Sequence, residues 1–282
     1  MSPKRAHSGG DAVSAMPGAV WLRASPPRTG SRGPALTRER IVAATVALLD
    51  GQGAQGLSMR KLADSLDVHA TSLYWHVSHR DDLLDLALDA VFAEVTLPAP
   101  SRNAHRADAD LPNAHRADAD FPAPAAVRAH RADDRRTGGS WRGDVALFMD
   151  ELRTALLRHP WSAVLASSRP LLGPQALART EFVYAALVEG GFEGDALTAA
   201  AGAVSNYVIG TVSAETAWQH EDGQAEAAGR AALAAHLRES AAAYPTLAAH
   251  PPSLRTDWEG HFARGRDFLL DGLARSAERP RG

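Results

Sequence analysis

Residues Ser58 to His79 read SMRKLADSLDVHATSLYWHVSH, and no other stretch restricts the fold as closely. Leu62, Ala63 and Leu66 stand at i, i+1 and i+4, which lays them on one buried face of a short helix over Arg60–Leu66. Asp67-Val68 makes the break, and Val68 is apolar enough to plug the turn. A second short helix is predicted over about Ala70 to His76, with Leu73 inward and Thr71, Ser72, Tyr74, Trp75 and His76 outward. Two helices joined by a turn of roughly three to four residues place the second in a DNA major groove, its first side chains at base edges. Exposed Tyr, Trp and His beside Arg60 and Lys61 are costly on a purely structural surface and useful against phosphates and thymine methyls. The competing reading is a helical hairpin whose aromatics are core. On the helix-turn-helix reading the candidate DNA contacts are Ser58, Met59, Arg60, Lys61, His69, Ala70, Thr71, Ser72, Tyr74, Trp75, His76 and Arg80.

The residues around this motif carry a resemblance. Ile41, Ala44, Leu48-Leu49 and Gly53 precede it, Leu57 to Ala63 opens it, and Leu66, Val68, Leu73 to Val77 and Leu83-Leu84 continue it. Over Thr37 to Val95 this pattern resembles the DNA-binding domain of the TetR family, and the run LYWHV brings it near the tetracycline-repressor branch. Asp67 departs from the family, which has Gly at that turn; Asp tolerates a left-handed backbone better than most residues. The resemblance implies an all-α homodimer that binds a palindromic operator and leaves it on binding a small molecule.

Charge is distributed as DNA binding requires. The whole chain of 282 residues carries a formal net charge of −3. Residues 1–80 nevertheless hold ten Lys and Arg against five acids, so the positive excess sits at the end bearing the motif. The absence of Cys excludes disulfides and Cys-based metal or nucleophile chemistry and suits a reducing cytoplasm. No apolar run approaches the roughly twenty residues of a membrane span, so the expected location is cytoplasmic.

The chain divides by composition into four parts. Residues 1–36, rich in Pro, Gly, Ser and Arg, read as a disordered basic arm whose Arg28 and Arg32 could follow the DNA backbone. Residues 37–97 form the DNA-binding head and a connecting helix. Thr37 is the expected N-cap of a first helix running to about Asp50, where Gly51, Gly53 and Gly56 end it. Ser58 caps the second helix, and Ser78 is the expected N-cap of a helix from Arg80 through Val95, the lever between head and body in the family. Residues 98–139 break the resemblance: NAHRADAD at Asn103–Asp110 recurs at Asn113–Asp120, with a degraded third copy at Ala129–Asp134. His105, His115 and His130 raise metal binding, but polar, Pro-punctuated repeats bury too little surface to offset chain entropy, and an inserted loop is the better reading.

Residues 140–278 resume the resemblance as a ligand-binding and dimerisation domain. Val145, Phe148, Met149, Leu152, Leu156 and Leu157 predict an amphipathic helix from Trp141, ended at His159-Pro160, with His159 as a simple C-terminal cap. Pro174 opens a helix closed by Gly190-Gly191, and helices of about 195–220 and 258–277 follow; the resemblance implies that these last two pack against their symmetry mates. Residues 221–250 read as a helix or a mobile segment. Candidate effector-pocket residues are Phe148, Leu152, Trp161, Asn206, Tyr207 and Glu215, each also compatible with plain core. Tetracycline-binding members use a His after the connecting helix, an Asn in the next helix, and a His near an acid to hold drug-bound magnesium. Thr96, Phe148 and Asn206 stand at those places, so the expected effector is an unidentified, more apolar molecule.

No Gly-x-Ser-x-Gly, phosphate-binding Gly loop or His-Glu-x-x-His occurs, so no catalytic residue, cofactor or metal is assigned. A transcriptional repressor is the leading reading. An activator of the same family and, less favoured, a helical protein-interaction adaptor are the alternatives.

Overall fold

The computed structural model describes residues 18–22, 36–98, 140–218, 223–251 and 257–278. The NAHRADAD repeats, their three His, and Arg28 and Arg32 lie outside them. Among the described residues the chain is helical with no strand. The head comprises α1 (Arg38–Gly56), α2 (Met59–Leu66) and α3 (Ala70–Leu73). The connecting helix is α4 (Arg80–Ala93). The body holds α5 (Trp141–Arg158), α6 (Pro160–Ser168), α7 (Pro174–Glu189), α8 (Gly194–Trp218), α9 (Gly223–Glu239), α10 (Pro245–Ala249) and α11 (Trp258–Ala277). The ambiguous stretch 221–250 is thus largely helical. No described helix is long and apolar enough to cross a membrane.

One apolar core runs from head to body. Ile41 and Leu49 of α1, Leu62 of α2 and Leu73 of α3 meet Leu83, Leu84 and Ala87 of α4, all buried. Further along α4, Leu88, Val91 and Phe92 join the body core, in which α8 packs against α5, α6, α7 and α11. The connecting helix α4 contacts α1 of the head and α5, α6 and α7 of the body, and α1 also touches α6 directly.

Several helix ends differ from expectation, each for a local reason. The first helix does not stop at Gly51; it continues to Gly56 with a break at Gly53, whose φ of 66° lies in the region that favours glycine. The cap of α4 is His79, one residue after Ser78, because Asp82 at the third helical position reaches back. Its Oδ2 accepts from the backbone N–H of Ser78 at 2.8 Å and of His79 at 3.1 Å. Within the stretch expected to be a disordered arm, Ala19–Leu22 forms a turn of helix against α4.

Candidate nucleic-acid interface

The helix-turn-helix is built by its caps. Ser58 Oγ accepts from Lys61 N at 3.2 Å and starts α2. Asp67 ends it in the left-handed conformation, φ 54° and ψ 48°. Val68 N donates to Ala63 O at 3.0 Å and Asp67 N to Asp64 O at 3.3 Å, the paired bonds of a Schellman turn. The departure from Gly at this position therefore leaves the turn intact. Leu62, Ala63, Leu73 and Val77 are buried and fix the angle at which α3 is presented.

Beyond α3 the chain makes a tight turn, His76 N and Val77 N both donating to Leu73 O. Trp75 is 77% exposed and Tyr74 55%, so the aromatics are not core and the hairpin alternative loses its premise. His69 and Thr71 are exposed beside them, with Ala70, Ser72 and His76 half-buried. On α2, Arg60 and Lys61 are exposed and Met59 half-buried; Lys61 Nζ donates to Gln52 Oε1 at 2.7 Å. Arg80 is drawn away from this surface. Its Nε donates to Leu57 O at 3.0 Å and its Nη2 to Ala54 O, so the guanidinium ties the end of α1 to the start of α4. These carbonyls are left open at the broken end of α1, and Arg80 satisfies them.

The body residues proposed for a pocket do not form one group. Phe148 and Leu152 are buried on α5. Tyr207 hydroxyl donates to Phe262 O at 2.8 Å, and Glu215 pairs with Arg153 at 2.7 Å, the guanidinium lying 5.1 Å from the Phe262 ring centre. Tyr207 and Glu215 are thus drawn together through Phe262 and Arg153, a residue that sequence reasoning missed. Arg153 Nε is buried without a hydrogen-bond partner. Asn206 points outward, exposed, and Thr96 is likewise exposed.

Trp161 sits apart, at the junction of head and body. Its Nε1 donates to Asp50 Oδ1 at 2.7 Å. The same oxygen lies 2.7 Å from His159 Nδ1, and His159 Nε2 lies 3.0 Å from Glu94 Oε1. His159 occupies the cap position between α5 and α6 as expected, but its ring bridges α1 to the end of α4. Burial alone would lower its pKa; the hydrogen bonds and charges of Asp50 and Glu94 outweigh this and raise it above the ordinary value.

Further acids couple α4 to the body. Asp85 Oδ1 accepts from Arg169 Nη1 at 2.7 Å. Asp89 Oδ1 accepts from Gln175 N at 3.0 Å and Ala176 N at 2.9 Å, capping α7. Burial raises the Asp89 pKa, opposed by those two N–H groups and by Arg179 and Arg38. Gly173 permits this approach, since a Cβ there would run into the Asp89 carboxylate. Arg179 Nη2 closes the junction on the carbonyls of Ala93 and Val95.

Comparison with known proteins agrees with this architecture. Residues 41–87 match the family described as bacterial regulatory proteins, tetR family, and residues 135–277 match the tetracyclin repressor-like C-terminal domain. An HTH-type transcriptional regulator of Saccharopolyspora erythraea is 51% identical over 261 residues, covering 93% of each chain. The HTH-type transcriptional repressor DrrR1 of Streptomyces coeruleorubidus is 31% identical over 257 residues, 87% of this chain and 81% of that one. Among solved structures, the Streptomyces coelicolor TetR family protein ActR in complex with actinorhodin superposes with a TM-score of 0.68 at 26% identity, covering 88% of this chain and 99% of that one. The chain belongs to the TetR family of DNA-binding transcriptional regulators and is not an enzyme.

Proposed function

We propose that the protein is a repressor that binds a palindromic operator as a homodimer and is released by a small organic effector held in the body. The observation that carries the reading is the surface of α2 and α3, where Trp75, Tyr74, Thr71, His69, Arg60 and Lys61 stand clear of a buried scaffold. Side chains of this kind on the second helix of the motif serve base edges and methyl groups, and those on the first serve phosphates. Dimerisation is supported by α8, whose exposed side carries Ala199, Asn206, Gly210, Ala214 and Ala217 at helical spacing. Small residues there let a second helix approach closely, and α11, which packs against α8, leaves Phe268 73% exposed as further apolar area. Asn206 on this reading belongs to the subunit interface.

The effector reading rests on the coupling of α4 to the body and on ActR, which is solved with actinorhodin and with (S)-DNPA. The polar anchors it offers are Arg153, Glu215 and Tyr207, which meet around Phe262. Transcription in vitro from a promoter overlapping the bound site tests the sign. Added protein should lower transcript yield, and a rise would assign an activator instead. Calorimetry with tetracycline and magnesium should show no saturable heat near micromolar, because Thr96, Phe148 and Asn206 offer no matching metal-holding set.

A further inference from the structure

The turn Gly18–Leu22 is seated where three parts of the molecule meet. Gly18 N donates to Asp85 Oδ2 at 2.7 Å in a buried hydrogen bond, reaching α4. Gly18 is itself buried with φ +84°, and a Cβ on it would lie 3.1 Å from Leu172 Cδ1, in the segment before α7. Trp21 N closes the turn on Gly18 O at 3.1 Å. The Trp21 ring lies 5.4 Å from the Arg38 guanidinium, at the first residue of α1, within the range of a cation–π contact. The same ring packs over a shallow crevice with Leu88, Phe92, Leu172 and Ala176, beside Asp85 and Asp89. One short turn therefore touches the head, the connecting helix and the body.

We infer that Gly18–Leu22 is an intramolecular ligand of this junction, a strap that holds α1, α4 and the 170–173 segment in their present relation. Two features make this a built contact. Asp85 divides its oxygens, one for Arg169 and one for the Gly18 amide, so the acid joins body and strap at one point of α4. Gly18 meets both the backbone and the space requirement of its place, which other residues would not. Because the strap contacts both sides of the junction, a displacement of α4 relative to the 170–173 segment must break it on one side. The strap therefore opposes such displacement, and losing it shifts the population toward the displaced form. Its action is distinct from a basic arm following DNA, which would work through phosphates and would leave the junction alone.

The test uses the full-length chain with Trp21→Ala and Trp21→Phe, followed by amide hydrogen exchange and operator binding at several salt concentrations. For Trp21→Ala, exchange at Leu88 to Phe92 and at the Asp89-bound amides of Gln175 and Ala176 should rise about tenfold. Trp21→Phe, which keeps an aromatic face over Arg38, should restore most of the protection, and the slope of operator affinity against salt should stay unchanged. Unaltered junction exchange in Trp21→Ala would overturn the inference. So would a shallower salt slope with junction protection intact, which would place this segment on the DNA.

Discussion

Asp50→Ala removes one carboxylate and strands two donors of the body, the ring of His159 and the indole N–H of Trp161. The bond to a protonated His is charge-assisted and contributes about 1.5–3 kcal/mol; the indole bond contributes about 0.5–1.5 kcal/mol. Asp50 is partly exposed, so water replaces some of what is lost, and the expected cost is about 2–3 kcal/mol. For a chain of this size, that lowers the thermal midpoint by roughly 4–12 °C at matched protein concentration. Asp50→Asn keeps an acceptor for Trp161 and loses the charge, so about half of the loss should remain. The pH dependence has a definite sign. His159 has a raised pKa in the folded protein, so its contribution is fully present below the unfolded value, about 6.5, and is lost as pH rises through the folded value. Denaturant melts of wild type and Asp50→Asn across that interval should converge as the pH rises. A destabilisation of Asp50→Ala below about 0.5 kcal/mol, or a gap between the two proteins that ignores pH, would refute the bridge.

Other consequences follow from single contacts. Trp75→Ala and Tyr74→Ala should each weaken operator binding about tenfold or more, about 1.4 kcal/mol, while circular dichroism and the thermal midpoint stay unchanged, since both side chains are exposed. Gly173→Ala should destabilise by about 2–4 kcal/mol in denaturant melts, because its Cβ displaces Asp89 from the start of α7 and costs both packing and a cap. Replacing residues 98–139 by a short linker joining Leu97 to Ser140 should leave the thermal midpoint within a few degrees and operator affinity within about tenfold. The repeat there argues for a tolerated insertion, and doubling a loop costs only about 0.6 kcal/mol.

The head was legible because its information is local. Leu62, Ala63, Leu66 and Leu73 announce a buried face by spacing, and the Thr37 and Ser58 caps lie within three residues of the amides they satisfy. The left-handed turn at Asp67 was legible for the same reason. The junction was not. Asp82, Asp85 and Asp89 are all buried along α4, which nothing in their local sequence announces. The groups that pay for burying Asp85 and Asp89 come from Gly18, Arg169, Gln175 and Ala176, all more than sixty residues away in sequence. His159 read as a cap because its neighbour Pro160 ends a helix, while the partners of its ring belong to α1 and the end of α4. The bonds of Arg80 to Leu57 O and Ala54 O were likewise invisible in the sequence, where only its charge beside the motif could be read. Hydropathy patterns report which side of a helix is apolar, and they are silent on charges neutralised across tertiary contacts.

The most direct test of the account is selection of bound sites from a random duplex pool by the full-length protein. The predicted result is one enriched palindrome, its half-sites centred about one helical turn apart, with enrichment lost in Trp75→Ala. A pool that shows no enriched sequence, or that enriches equally well with Trp75→Ala and Tyr74→Ala, would contradict the claim that the surface of α2 and α3 reads the operator.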